Sequence, residues 1–145
     1  MAAKKPKKKQ SIRNSEYYNT QKCFDQLYQD SLHGKRFTQL MDIITSEENI
    51  MLAYRSIKKN KGSKTKGTNN STIVQMGEKT PDELISYVRK RLKNFHPHAV
   101  RRVEIPKPDG RLRPLGIPTI EDRIIQQCIK QVLEPICEAR FYKHR

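Results

Sequence analysis

The chain has 145 residues, enough for one modest domain or for part of a larger one. Lys and Arg outnumber Asp and Glu by 30 to 15, so the formal net charge is +15. Such a charge favours a polyanionic partner, but by itself it does not separate RNA binding from ribosome association or from binding to an anionic membrane surface. The low hydrophobic content, 34%, predicts a core that depends on RNA or on further protein for stability. No apolar run is long enough to span a membrane.

The cysteines at positions 23, 128 and 137 form no C-x-x-C pair and have no metal-like spacing with the histidines. An odd number of cysteines without a signal peptide indicates a reducing compartment, either a bacterial cytoplasm or an organelle. Cys128 and Cys137 fall on the apolar side of a predicted helix, where we expect them to be small buried side chains.

The first part of the chain is predicted to be a basic tail followed by short helices. Residues 1–15 are rich in lysine and nearly free of apolar side chains, which predicts a disordered tail that binds RNA without sequence preference; a nuclear-import signal is the alternative. Residues 16–44 predict two short helices with a break at residues 33–35, and Thr45 is expected to cap the next helix through a capping box.

A polar loop follows at residues 60–71, with Lys61, Lys64 and Lys66 and no apolar anchor. An ordinary solvated loop is slightly favoured over one that becomes ordered on RNA. Thr80 and Pro81 then begin a helix through Phe95, with an apolar stripe facing the core. The two histidines around Pro97 predict a linker rather than a metal site.

Residues 100–117 predict a β-hairpin with an Asp109-Gly110 turn, because two short alternating runs flank a segment rich in Pro and Gly. Pro114 in the return strand implies an edge position or a bulge. A well-buried helix capped by Thr119 follows, and Pro135 is expected to kink or restart it.

The acidic residues mostly mark helix starts and do not form the converging carboxylates that a metal-dependent polymerase needs. The hairpin offers phosphate-binding groups instead. Lys107 is a flexible point charge, Arg113 is a planar fork, and both are expected close to the turn. Arg101 and Arg102 are adjacent in a strand and therefore point to opposite faces. On composition alone, a charged surface hairpin without a ligand is the favoured alternative.

Three sequences carry a resemblance to a known family: RRVEIPKPDG at 101–110, RPLGIPT at 113–119 and DRIIQQ at 122–127. They resemble the fingers of group II intron-encoded reverse transcriptases, also called maturases. NKG at 60–62 and TKG at 65–67 resemble the loop that precedes the fingers in some members. The resemblance covers residues 45–145 well and the first 40 residues weakly.

The resemblance implies an RNA-directed DNA polymerase that also assists intron splicing and mobility. It assigns Lys107 and Arg113 to the triphosphate of the incoming nucleotide. It places Arg101, Gly116 and Ile117 along the template. Arg102 in the strand and Lys61, Lys64 and Lys66 in the basic loop are the further residues expected to bind RNA. Intron RNA, an RNA/DNA template-primer, a deoxynucleotide triphosphate and the remaining palm and thumb polypeptide are the implied partners, and no membrane is among them.

The resemblance also implies an α+β fold in which N-terminal helices precede a fingers-type hairpin and a buried helix, as part of a right-hand polymerase fold. The expected division is a tail at 1–15, a helical region at 16–99 and a fingers region at 100–145 that is truncated before the palm. No metal ligands or cofactors are expected in this chain, although Mg²⁺ is expected for the full-length family enzyme. The chain alone is predicted to be inactive. The alternative function is a non-catalytic RNA-binding splicing cofactor.

Overall fold

A computed structural model describes residues 17–142 of the chain, so the predicted basic tail at 1–15 lies outside the described residues. The order is α1 (Gln21–Leu32), α2 (Leu40–Ile44), α3 (Glu47–Lys58), a 3₁₀ turn (Lys61–Lys64), α4 (Ile73–Gly77), α5 (Pro81–Lys93), β1 (Arg101–Pro106), β2 (Leu112–Ile117) and α6 (Ile120–Tyr142). The predicted α+β class, with helices before a hairpin and a long helix after it, is confirmed.

Helix α6 is the centre of the core and packs against α1 and α3, with smaller contacts to α2 and α5. Its inward side chains recur at helical spacing and have no exposed surface: Ile120, Ile124, Ile125, Cys128 and Val132. Full burial of one such isoleucine contributes roughly 1.5–3 kcal/mol. The predicted buried helix is therefore confirmed, and its packing holds the N-terminal helices against the last helix of the described chain.

A polar contact lies inside this core between α3 and α6. Asn49 is 1% exposed, and its side-chain amide donates to the carbonyl oxygens of Ile44 at 2.9 Å and Cys128 at 3.0 Å. The amide of Gln131 donates to the side-chain oxygen of Asn49 at 2.9 Å. Because each of these buried amide groups has a partner, they fix the register of α3 against α6 without a large burial penalty.

The helix starts show where local sequence signals were correct. Thr80 accepts from the Glu83 N–H at 3.3 Å, with Pro81 in the first turn, and Thr119 accepts from the Asp122 N–H at 3.3 Å. The prediction for α3 was wrong by one residue, because Ser46 is the cap and accepts from the Asn49 N–H. The hydroxyl of Thr45 instead donates to the Met41 carbonyl and belongs to the end of α2.

Three further expectations are corrected, and one helix was missed. Helix α6 is not interrupted at Pro135, and the hydroxyl of Ser31 in α1 donates to the carbonyl of the next residue, Ile136, at 2.7 Å. Cys137 is exposed, because its position in the helical repeat places its side chain on the outer side of α6, away from the buried side chains. Phe95 lies beyond the end of α5 and is 41% exposed. Helix α4 was not predicted at all.

Candidate nucleic-acid interface

The hairpin presents most of its side chains to solvent. β1 and β2 pair antiparallel from Arg101 opposite Ile117 to Pro106 opposite Leu112. One further N–H, that of Lys107, donates to the Arg111 carbonyl at 2.7 Å. Residues 108–110 form a three-residue turn between Lys107 and Arg111. Gly110 is the last of them and has φ +85°, a left-handed conformation that glycine adopts at no steric cost. The predicted hairpin and its turn are confirmed.

The register divides the hairpin into two different faces, because residues directly opposite each other point to the same side. Only one of them combines several cations with aliphatic side chains. We call this the basic face; it contains Arg101, Val103, Ile105, Lys107, Arg111, Arg113, Leu115 and Ile117. Three of the four aliphatic members lie toward the base of the hairpin, whereas Ile105 lies opposite Arg113, and three of the four basic members lie toward the turn.

Lys107 and Arg113 are both exposed, and the pairing places them diagonally across the two strands on the basic face. Diagonal neighbours of this kind are about 7–8 Å apart at Cα, which long side chains can span. The two residues are thus brought near each other, as predicted. Their nucleotide-binding role stays a prediction.

The hairpin residues assigned to RNA lie at its base. Arg101 belongs to the basic face opposite the half-buried Ile117, while Arg102 points to the other side, opposite Gly116. A Cβ on Gly116 would lie 3.0 Å from the Val100 Cγ2, so the Val100 side chain covers this glycine. The base therefore offers cations on both faces of the strand pair.

The loop at 60–71 is anchored, which corrects the expectation of an ordinary solvated loop. The guanidinium of Arg123 donates to the Gly62 carbonyl at 2.7 Å, and the Asn69 amide donates to the Glu121 carboxylate at 3.2 Å. Lys64 and Lys66 remain exposed, while the side chain of Lys61 lies outside the described residues. The anchors come from the first turns of α6, which follows the exit of the hairpin, so the loop is held next to the start of this helix.

A buried carboxylate holds the segment that leads into the hairpin. Asp122 is 2% exposed, accepts from the Arg91 guanidinium at 2.6 Å and accepts from the His98 N–H at 2.7 Å. Burial acts to lower the pKa of Arg91, but the hydrogen bond and the charge of Asp122 outweigh it, so the pKa is raised. The His98 ring also lies 2.9 Å from the Thr119 hydroxyl. The entry and exit of the hairpin are thereby tied together.

Sequence reasoning missed several residues of this region. Arg111 shares the basic face with Arg113, and the two-residue alternation of a strand was the signal that would have identified it. The partners of Asp122 and Arg123 are far away along the chain, so no local pattern pointed to them. Asp122 was assigned to a helix start, and its backbone N–H does bind the Thr119 cap. The assignment did not foresee that its carboxylate binds Arg91 and the His98 N–H.

The part of the chain that the structure describes lacks several features of other functional classes. No group of three or more His, Cys, Asp or Glu side chains among residues 17–142 is arranged to hold a metal ion. No helix within that range is both long enough and apolar enough to cross a membrane. The basic side chains of the hairpin form no ion pair within the same range.

Fold and surface together define a basic α+β chain that presents a cationic hairpin and an adjacent cationic loop. No family model matches the chain. It is 37% identical over 114 residues to the protein YkfC of Escherichia coli. It is 33% identical over 106 residues to the group II intron-encoded protein LtrA of Lactococcus lactis. It is also 32% identical over 109 residues to the putative COX1/OXI3 intron 2 protein of Saccharomyces cerevisiae.

These matches cover 72–74% of the chain but only 28%, 17% and 12% of the respective relatives. The chain therefore spans less than a third of each of these curated relatives. Within that span, the comparisons confirm the resemblance of this chain to group II intron-encoded proteins.

Proposed function

We propose that the chain is the N-terminal, fingers part of a group II intron reverse transcriptase and maturase. In this role it binds intron RNA and template RNA, and it contacts the phosphates of the incoming nucleotide. The similarity to LtrA and to a yeast intron protein supports the family context. The observation that carries the binding function is the basic face, whose cations have no ion-pair partner among residues 17–142.

The hairpin tip is suited to a triphosphate. Lys107 supplies a mobile ammonium group, and Arg113 supplies two parallel N–H donors for phosphate oxygens. Arg111 adds a third cation on the same face. In nucleotidyl transfer these groups stabilise negative charge electrostatically, whereas the metal ions that activate the reacting oxygens need carboxylates. Palm and thumb polypeptide and Mg²⁺ are the further components that this function requires.

The hairpin base and the loop are suited to an RNA strand. Arg101 and Arg102 contact backbone phosphates from opposite sides of the strand pair, and Lys64 and Lys66 extend the cationic surface. Gly116 and Ile117 lie opposite Arg102 and Arg101 in the strand pair and complete the surface proposed for a template nucleotide. Lys61 belongs to the same loop and completes the proposed set.

A non-catalytic splicing cofactor is the second candidate, because the same cationic surface is sufficient for binding intron RNA. The two functions differ in their need for the hairpin tip. A cofactor needs only RNA affinity, whereas a polymerase finger also needs Lys107 and Arg113 for the nucleotide. An in-frame palm with an Asp-Asp turn downstream in the gene favours the polymerase, and a stop codon favours the cofactor.

The experiment that tests RNA binding compares a group II intron stem-loop with an unrelated RNA of equal length in a filter-binding assay. We expect tighter binding to the intron RNA and a linear fall of log K with log salt concentration, by about 0.9 per phosphate contact on duplex and about 0.7 on single strands. Affinity that does not change between low and moderate salt would contradict the proposal.

Arg101→Ala tests the RNA site within the same assay, because Arg101 is an exposed hairpin cation assigned to RNA and not to the nucleotide. We expect its salt slope to be smaller by about one phosphate contact, with an unchanged circular dichroism spectrum. Arg36→Ala is the matched control, because Arg36 is also exposed but lies between α1 and α2, far along the chain from the hairpin. Equal losses in both variants would show that only net charge matters and would remove the hairpin from the site.

A further inference from the structure

The basic loop contacts both ends of the hairpin. The hydroxyl of Thr68 donates to the Ala99 carbonyl at 2.9 Å, two residues before β1 begins. On the other side, the backbone of Gly67 lies directly against Pro118 and Thr119, which follow the end of β2. The loop therefore bridges the entry and the exit of the hairpin, although it precedes the hairpin by about thirty residues.

Gly67 is buried, and its contact is between two backbones. A Cβ at this position would lie 2.8 Å from the Thr119 Cα, 2.9 Å from the Thr119 nitrogen and 3.0 Å from the Pro118 oxygen. Backbone atoms at the start of α6 have no rotamer by which to move aside. A side chain on residue 67 must therefore push the loop away from α6.

Gly62 provides a natural comparison within the same loop. A Cβ there would meet nothing closer than 3.7 Å, and the nearest atoms belong to the flexible guanidinium of Arg123. The two glycines thus differ in what a side chain would meet, which is backbone at Gly67 and a flexible side chain at Gly62. Gly67 is the position where the absence of a side chain brings the loop onto the hairpin base.

We propose that Gly67 is a positioning residue for RNA binding. Its contact with Thr119 holds Lys64 and Lys66 beside the base of the hairpin, so that loop and hairpin bind one RNA strand as a single surface. This inference rests on the proposed RNA-binding function and adds a specific mechanism to it. It predicts that the two lysines lose their effect on RNA affinity when the loop is displaced.

The test is a double-mutant cycle in the 145-residue chain, with the intron stem-loop as the probe. In the wild-type background, replacing both Lys64 and Lys66 by Ala should reduce the salt slope by about 1.4–1.8, the value for two phosphate contacts. In the Gly67→Ala background the same replacement should change the slope by less than half of that. Additive effects in the two backgrounds would overturn the inference.

Gly62→Ala is the control and should leave the effect of the lysine replacement unchanged. Hydrogen exchange gives a readout that does not depend on RNA: Gly67→Ala should accelerate exchange at residues 60–71, and Gly62→Ala should not. Unchanged exchange in Gly67→Ala would overturn the inference even if the wild type binds no RNA. Absence of RNA binding by a folded wild type would instead contradict the proposed function, and the positioning role with it, even if exchange shows that Gly67 holds the loop.

Thr68→Val keeps the inference testable if Gly67→Ala does not fold. Thr68 is exposed, and this replacement removes its hydrogen bond to Ala99 while nearly conserving its shape. We expect partial displacement of the loop, faster exchange at residues 60–71 and a smaller effect of the lysine replacements. Wild-type exchange together with a wild-type lysine effect would contradict the proposal that the loop is held on the hairpin.

Discussion

Removal of the Asp122 carboxylate tests whether a buried ion pair stabilises the segment that leads into the hairpin. In Asp122→Ala, the guanidinium of Arg91, whose side chain is only 12% exposed, loses its charged partner at 2.6 Å. The His98 N–H loses its acceptor at 2.7 Å. The Arg91 guanidinium then remains in a region that water reaches poorly, so it keeps part of its desolvation cost without compensation.

The expected destabilisation is about 3 kcal/mol. Removing one partner of a buried ion pair typically costs roughly 3–5 kcal/mol. The lower end applies because Arg91 keeps a second hydrogen bond, to the His96 carbonyl at 2.8 Å. For a chain of this size, about 3 kcal/mol corresponds to a fall in melting temperature of roughly 10 °C. Asp122→Asn retains one acceptor oxygen without the charge, so its loss should be smaller, about 1–2 kcal/mol.

Urea unfolding followed by circular dichroism measures these differences in the free energy of unfolding. Glu134→Ala is the control, because Glu134 is exposed in the same helix and its loss should change stability by less than about 0.5 kcal/mol. A loss for Asp122→Ala no larger than that of the control would refute the argument that this carboxylate supports the hairpin. Equal losses for Ala and Asn would show that charge alone sets the effect.

Three other predictions concern the turn, the thiols and the basic face. Gly110→Ala should destabilise the chain by about 1–2 kcal/mol in urea unfolding, because φ is +85° there, and Gly110→Asn should lose less; equal stability of all three would contradict the turn geometry. Burial raises the pKa of Cys128 to about 12, so iodoacetamide at pH 8 should modify the exposed Cys137 first, as mapped by mass spectrometry; faster labelling of Cys128 would show that the core is open. Arg111→Ala should weaken binding of a deoxynucleotide triphosphate in an equilibrium titration as much as Arg113→Ala does, since both cations lie on the basic face near the turn, and wild-type affinity would exclude Arg111 from the triphosphate site.

The raised pKa of Cys128 also predicts how stability depends on pH. The unfolded thiol, with a pKa near 9, loses its proton before the folded one does. The unfolded state therefore binds fewer protons between about pH 9 and 12, and the free energy of unfolding falls as the pH rises through this window. Cys128→Ala should remove this part of the pH dependence, at the cost of a small cavity in the core.

Local sequence patterns predicted the elements whose cause is local. Thr80 and Thr119 begin helices because a hydroxyl can satisfy an N–H three residues later, and Gly110 permits the turn because it lacks a Cβ. The error at Thr45 also arose from local chemistry, because the hydroxyl of its neighbour Ser46 can cap a helix equally well. Which of the two caps α3 depends on where α2 ends, since Thr45 donates to the Met41 carbonyl of α2. The spacing of isoleucines likewise predicted that α6 is buried.

The sequence by itself determined the charge, the hairpin and the family resemblance, because each depends on residues that are close along the chain. Only the tertiary structure decided that the loop at 60–71 is anchored, through Gly67 against Thr119 and Arg123 on Gly62. It also gave Asp122 its partners, 24 and 31 residues away. Contacts of this range leave no periodicity in a single sequence, since they arise from backbones and buried charges that meet only when α6 packs into the core.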